Sequence, residues 1–296
     1  MIIEAIENAL KSACHKNNLS EIMDYAVFPA GKLFRPRLVE AIALDIDDHL
    51  SKNHLHLAAA IEIHHAYTLV HDDLPSMDND LIRRGKPSTH AQFGEWKAIL
   101  TGDALLITSF NELSKIKHQR FQELLKLMSW ATGAKGLIEG QFRDLEANGN
   151  VNISDVIRIH ELKTGRLIQL TTLGTYLLKE NISFRGKLDF LKLGKNIGIT
   201  FQLLDDLCEL TSNEVSPHEL KINPFIHSGS EALHHLKKSH SSILETTEKY
   251  NLLNTNKMMM DYFVSNKNLL LSNLSHLKMN MSGDISVIEE WITNFA

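Results

Sequence analysis

Apolar residues recur at helical spacing over residues 2–14, 37–47, 53–73, 97–115, 119–145, 153–181, 187–210 and 257–276. Six prolines punctuate the chain (Pro29, Pro36, Pro75, Pro87, Pro217 and Pro224), and residues 88–216 contain none. Short alternating runs of the β type are scarce, and Asn148-Gly149 has no strand pattern around it. These patterns predict an all-α fold of eight or more helices. No Ser/Gly-rich linker and no repeat of fixed period divides the sequence, so one large domain over residues 1–296 is expected.

Two of the predicted helices end in carboxylates. The first runs into HDDLPSMDNDLIRRG, with Asp72, Asp73 and Asp78 followed by Arg83 and Arg84. Pro75 disfavours the helical region at Leu74, so the helix should stop near Asp73, with Asp72 on its last turn. Asp78 can then fold back across the Leu-Pro-Ser-Met bend. A helix C-terminus already carries partial negative charge, so acids there call for a cation. The adjacent arginines suit phosphate oxygens.

The second acidic group lies in FQLLDDLCE, with Asp205, Asp206 and Glu209. On a helix, Gln202, one of the two aspartates and Glu209 share a face. Like charges at this spacing repel, and apolar neighbours raise the cost. A hard cation with oxygen ligands offsets it. Mg²⁺ fits best, because it uses one or two carboxylates and completes its shell with water and phosphate. The two acidic tips, distant in sequence, are expected to meet and hold a diphosphate through shared Mg²⁺.

Composition narrows the field. Hydrophobic residues make up 43%, ample for a core, and the net charge is -5 with no dense Lys/Arg stripe. Nucleic acid is therefore not an expected partner. Two cysteines, Cys14 and Cys208, imply no disulfide framework and point to a reducing compartment. The acidic start lacks the apolar core of a signal peptide, and no run of 18 apolar residues suggests a membrane span. A cytoplasmic location is expected.

At this point the chain resembles the bacterial short-chain polyprenyl diphosphate synthases of the farnesyl type. The resemblance is carried by an ordered series of boxes over roughly residues 25–210. GKLFRPRL is similar to a GK-x-x-RP box. HAYTLVHDDLPSMDNDLIRRGKPSTH is similar to the first Asp-rich region, and FGEWKAILTGDALL to the helix after it. GQFRDLE, LKTGRLIQ and FQLLDD complete the order.

The resemblance implies an all-α bundle around a deep central cavity, homodimeric, that condenses isopentenyl diphosphate with an allylic diphosphate (dimethylallyl or geranyl). It implies that Lys32, Arg35, His65 and Arg84 hold the isopentenyl diphosphate, and that Arg83 and Lys163 face the allylic diphosphate. Asp72, Asp78 and Asp205 would be the main ligands of three Mg²⁺ ions, with Asp73, Asp206 and Glu209 nearby or water-bridged. Gln202, Thr164 and the backbone around Lys163 would stabilise positive charge on the allylic carbons.

Such a reaction needs no protein nucleophile. The allylic diphosphate ionises once its leaving group is neutralised, and an apolar cavity keeps water from the cation. The isopentenyl double bond attacks, and proton loss completes the step. Tyr67 and Thr68 lie five and four residues before Asp72, about one helical turn below the metals. A ring there would cap the growing chain; an aromatic at this place resembles the farnesyl producers, which implies a C15 product, farnesyl diphosphate, with C10 or C20 open.

The sequence departs from the pattern after Asp206. Glu209 stands where a third aspartate is usual. ELKINPF replaces the usual Gly-Lys-Ser/Thr box, with Lys221 as the counterpart of its lysine. Two other readings stay open: a non-catalytic homologue that binds prenyl diphosphates or regulates a partner, and a class I terpene cyclase. The GKLFRP and RRG boxes disfavour the cyclase, which needs no second diphosphate pocket. His64 and His65 are adjacent and point apart on a helix, so no shared transition metal is expected. His234, His235, Lys237 and Lys238 read as a solvated face, and Met258, Met259 and Met260 as core filler.

Overall fold

The computed structural model describes residues 1–14, 17–147, 152–212, 214–216, 219–281 and 286–294. Asn148-Gly149 and the side chain of Cys14 lie outside the described residues. The chain divides into two units: residues 1–125 with 177–180, and residues 126–176 with 181–296.

The first unit is built on α1 (Ile2–Cys14), α2 (Ser20–Val27), α3 (Phe34–Asp47) and α4 (Lys52–Asp72). A hairpin follows, β1 (Ile82–Arg83) with β2 (Lys86–Pro87), then α5 (Thr89–Phe93) and α6 (Glu95–Ser114). α3 begins three residues before the predicted start, because Pro36 is tolerated in a first helical turn. α4 is apolar nearly all round (Leu57, Ala58, Ala59, Ala60, Ile61 and Ile63 are fully buried), as a central helix must be. Its start is fixed by a capping box. Ser51 Oγ accepts from the His54 amide at 3.3 Å, and the Ser51 amide donates to His54 Nδ1 at 3.2 Å. Packed against α4 are α1, α3 and α6, with a core that includes Ile6, Leu10, Met23, Ala59, Ile63 and Leu105.

The two-residue strands are a correction to the sequence expectation, which contains no strand here. Ile82 pairs with Pro87 and Arg83 with Lys86, leaving Arg84 and Gly85 as a two-residue loop. Both have positive φ, 54° and 76°. That pattern is the primed turn that matches strand twist.

α7 (Phe121–Thr132) leads into the second unit, which contains α8 (Leu137–Glu146), α9 (Ile153–His160), a π turn (Glu161–Gly165) and α10 (Arg166–Leu177). The predicted helix over 119–145 is two helices, broken at Gly133 and Gly136. The long α11 (Phe184–Glu209) then packs on α14 (Gly229–Lys249) and on the π turn. Between them lie the short α12 (Glu219–Ile222) and α13 (Pro224–His227). α15 (Leu253–Ser272), α16 (Leu274–Asn280) and α17 (Ser286–Asn294) follow. Tyr176 stacks on Phe190 at 4.3 Å, and Asn196 bonds Ser242 at 2.9 Å, tying α11 to α10 and α14. Cys208 Sγ donates to Asn266 Oδ1 at 3.3 Å. No helix among the described residues is long and apolar enough to cross a membrane.

Candidate active site

In the first unit the acidic segment closes α4 as predicted. Asp72 is its last residue, and the Asp78 amide donates to the Asp72 carbonyl at 2.9 Å, folding the bend back over the helix end. Asp72 is half-buried and Asp78 exposed. Asp73 is buried, and Arg83 grips it: Nε is 2.9 Å from Asp73 Oδ1, and Nη2 bonds the same oxygen. Arg83 also reaches Asp80 at 2.7 Å. Burial raises the Asp73 carboxyl despite this bond.

The hairpin turn aims Arg84 back at the segment around residues 27–31. Its Nη1 donates to the carbonyls of Val27 (3.0 Å) and Pro29 (3.2 Å). Gly31 leaves room for it, since a Cβ there would stand 3.1 Å from Arg84 Nη2. Beside it, Lys86 donates to the carbonyls of Tyr25 (2.6 Å) and Phe28 (2.5 Å) and lies 3.6 Å over the Tyr25 ring.

Arg35, His65 and Arg84 share one electrostatic neighbourhood around the buried Glu62. Arg84 Nη2 stands 4.0 Å from Glu62. Burial raises the Glu62 carboxyl, against the pull of Arg35 and Arg84. Burial, then the charges of Arg35 and Arg84, push His65 well below 6.5, so it is neutral at neutral pH. Arg35 Nε is buried without a hydrogen bond. Lys32, three residues before Arg35, is exposed. One buried carboxylate among two guanidiniums leaves excess positive charge, which suits a diphosphate.

Tyr67 and Thr68 are buried on α4. The Tyr67 ring packs edge-on between His64 (4.6 Å) and His71 (5.7 Å). Burial, with the Asp72 carboxylate, pushes its hydroxyl up to about 12. Thr68 spends its hydroxyl on the His65 carbonyl at 2.8 Å. His64 Nδ1 is 3.2 Å from Ser109 Oγ on α6, so it serves packing.

In the second unit the π turn presents Lys163 and Thr164. Lys163 Nζ donates to Asp144 Oδ2 on α8 at 2.5 Å. Thr164 Oγ1 donates to Gln202 Oε1 at 3.0 Å, and Gln202 Nε2 donates to Asp206 Oδ1 at 3.2 Å. Thus Thr164, Gln202 and Asp206 form one chain. His160 Nε2 is 3.4 Å from Asp206 Oδ2. α11 turns Asp206 inward and leaves Asp205 and Glu209 exposed. Asn223 ties the next loop to this helix, donating to the Asp206 carbonyl and to Glu219 Oε2, each at 2.9 Å. Lys221 is exposed on α12.

The donor set fits a hard cation. Burial and the Glu219 carboxylate hold Asp206 well above the ordinary carboxylate range. Desolvation and Glu219, to which it is hydrogen-bonded, raise Glu209 as well. Asp206 Oδ2 is buried and accepts no hydrogen bond. Crowded oxygens that favour protons are oxygens that a divalent cation would neutralise. Among the described residues no three His, Cys, Asp or Glu side chains converge as a ready-made cage.

Several of these residues carry no role in the sequence reading. Asp144 sits in the quoted GQFRDLE box, and its signal was the acid in that box. For Glu62 the available signal is a lone acid in AAAIEIHHA. Lys86, His160 and Glu219 gave no sign, because their partners are distant in sequence.

Each unit therefore groups carboxylates with cations on helical elements, as an all-helical enzyme acting on diphosphates requires. The chain belongs to the polyprenyl synthetase family, whose model matches residues 16–218. It is 34% identical over 223 residues to a farnesyl diphosphate synthase of Geobacillus stearothermophilus, covering 71% of this chain and 74% of the relative. To that of Escherichia coli (strain K12) it is 39% identical over 202 residues, covering 65% and 66%. Its fold is similar to a crystal structure of geranyltransferase from Helicobacter pylori complexed with magnesium and isoprenyl diphosphate. There the TM-score is 0.76 at 27% identity, over 88% of this chain and 95% of the other.

Proposed function

We propose that this chain is a prenyltransferase of the farnesyl diphosphate synthase type, joining isopentenyl diphosphate to a dimethylallyl or geranyl primer. The observation that carries the reading is the first acidic segment with its hairpin. Asp72 and Asp78 close over one helix end, and the next turn delivers Arg84 to Gly31, Arg35 and the neutral His65.

On this reading Lys32, Arg35, His65 and Arg84 bind the isopentenyl diphosphate. Arg83 and Lys163 face the allylic diphosphate, and Lys221 reaches it from the α12 loop. Asp72, Asp78 and Asp205 would be the main ligands of three Mg²⁺ ions, with Asp73, Asp206 and Glu209 nearby or water-bridged. The ions, when bound, supply positive charge that makes diphosphate a good leaving group. The side chains do the rest. Thr164 and Gln202 set their oxygens beside the allylic carbons, where positive charge grows. Tyr67 and Thr68 bound the chain's path and exclude water.

The two units act as one synthase domain in the cytoplasm. Partnership as a homodimer is supported by two apolar stripes. One on α6 carries Trp96, Ile99, Leu100 and Ile107, and one on α8 carries Ile138, Phe142 and Leu145, all exposed. Light scattering after gel filtration tests it, and a monomer at micromolar protein would refute it.

Incubation with geranyl diphosphate, isopentenyl diphosphate and Mg²⁺ should release diphosphate and yield a C15 prenyl diphosphate. A hydrocarbon product would indicate a cyclase. Binding without turnover would favour a non-catalytic homologue, a second reading supported by Glu219. That carboxylate crowds Asp206 and Glu209 from the loop where a lysine box is usual.

A further inference from the structure

We propose that Glu161 is a positioning residue, which fixes the π turn that presents Lys163 and Thr164. This rests on the reading that those two residues face the allylic diphosphate.

The π turn is a costly element. It holds one residue more per turn than an α-helix, so it persists only where its surroundings over-determine it. Two faces are determined by close backbone approach. A Cβ on Gly140 of α8 would lie 2.3 Å from the Lys163 amide nitrogen. A Cβ on Gly198 of α11 would lie 2.4 Å from Gly165 Cα. Both contacts act on residues 163–165 and leave the start of the turn to a further restraint.

Glu161, the first residue of the turn, supplies that restraint. Glu161 is 8% exposed and forms ion pairs with three cations on three helical segments. Lys195 of α11 is at 2.9 Å, Arg158 of α9 at 3.2 Å, and Arg166 of α10 at 3.3 Å. The arginines lie before and after the turn, so one carboxylate spans it. Arg166 is itself immobilised. Its guanidinium stacks 4.0 Å from the Trp130 ring and donates to Gln169 at 2.8 Å. Burial alone would raise the Glu161 carboxyl, but the Lys195 bond and the three charges outweigh it and keep Glu161 ionised. Lys163 Nζ and Thr164 Oγ1 have their own partners in Asp144 and Gln202.

Losing this clamp should let the turn relax towards an ordinary helix, rotating Lys163 and Thr164 away from Asp144 and Gln202. Misplacement of that size typically costs on the order of tenfold to a hundredfold in rate. The test compares Glu161→Gln, Lys195→Met and the double variant, all in the full-length chain. Steady-state kinetics and amide hydrogen exchange over residues 161–165 are the readouts. We expect kcat to fall by about tenfold or more in each single variant. KM for isopentenyl diphosphate should not change, because Lys32, Arg35 and Arg84 belong to the other unit. The double variant should be no worse than Glu161→Gln, since both changes remove one interaction. Exchange over 161–165 should accelerate.

Wild-type kcat in Glu161→Gln with only a lower thermal midpoint would make Glu161 merely structural and overturn the proposal. Additive losses in the double variant would also overturn it. If Glu161→Gln does not fold, Lys195→Met, whose ammonium is half exposed, decides by the same readouts. If the wild-type chain makes no prenyl diphosphate, the enzymatic reading falls. Exchange over 161–165 then decides whether Glu161 holds the turn, and unchanged exchange refutes it.

Discussion

Arg83 and Asp73 form a closed charge pair, with two guanidinium nitrogens on a single carboxylate oxygen of a buried aspartate. An oxygen already carrying two donors is a weak metal ligand, so the adjacent aspartates divide their duties. Asp72→Asn should act on catalysis, whereas Asp73→Asn, which releases the Arg83 placed at the allylic diphosphate, should lower stability as well as rate. Removing the charge-assisted bond should cost about 1–3 kcal/mol, read from the urea midpoint. Equal midpoints for Asp73→Asn and wild type would show that the existing bond to Asp80 suffices to hold Arg83.

Asp72→Ala and Asp205→Ala should each lower kcat by at least about a hundredfold, the scale of a lost electrostatic stabiliser. The Mg²⁺ concentration for half-maximal rate should rise in both. Near wild-type turnover in either variant would mean that the metal lies elsewhere.

Much of this was legible before any coordinates. The end of α4 could be placed because Pro75 stops a helix that is apolar on every side, and the Asp78-to-Asp72 fold-back follows from that bend. The hairpin was not legible, since two-residue strands leave no alternating pattern and Arg84 is not a usual left-handed residue. α14 leaves little trace in the sequence because its buried stripe (Ala232, Leu233, Leu236, Ile243) is thin among residues rich in Ser, Thr, Lys and His. The π turn adds a residue without changing composition, and Gly165 was its only hint. Adjacent Asp205 and Asp206 are indistinguishable by spacing, and only the packing of α11 turns Asp206 inward.

Acid should unfold the chain through its buried histidines. Burial lowers His54 from 6.5 to about 4 and His64 to about 3. Both are bound neutral, and His54 must stay so because its Nδ1 accepts the Ser51 amide. A histidine with a depressed folded pKa contributes stability that is complete above pH 6.5. That stability drains away as pH falls from 6.5 through the folded value. For His54 the full loss is about 3 kcal/mol. Urea unfolding from pH 7 to pH 4 should therefore show a steadily falling midpoint. His54→Asn, which keeps an acceptor but binds no proton, should flatten the curve. A midpoint independent of pH between 7 and 4 would contradict this account.

Two glycines should fail for different reasons. Gly85 has φ of 76° and open space around its missing Cβ, so Gly85→Ala carries only backbone strain, about 1–2 kcal/mol. Because it also tilts the Arg84 turn, KM for isopentenyl diphosphate should rise. Gly102 has ordinary backbone, but a Cβ there would sit 2.1 Å from His71 Nε2, which bonds the Ile99 carbonyl at 3.0 Å. Gly102→Ala must therefore displace the His71 ring or part α4 from α6, and it should lower thermal stability more than Gly85→Ala does. The reverse order would mean that His71 swings aside freely.

Product length offers the most specific reading of Tyr67. Five residues of helix place it about 7.5 Å along α4 from Asp72. Its ring cannot move up or down, because His64 and His71 flank it edge-on on the same helix face. Burial and Asp72 keep its hydroxyl protonated, so it presents an uncharged wall. Tyr67→Ala removes that wall without touching a metal ligand or a diphosphate contact. The variant should retain turnover with geranyl diphosphate and shift the product from C15 to C20 or longer, measured by chromatography of the dephosphorylated alcohols. Tyr67→Phe, which keeps the ring, should still stop at C15. An unchanged C15 product from Tyr67→Ala would place the end of the chain's path against other side chains.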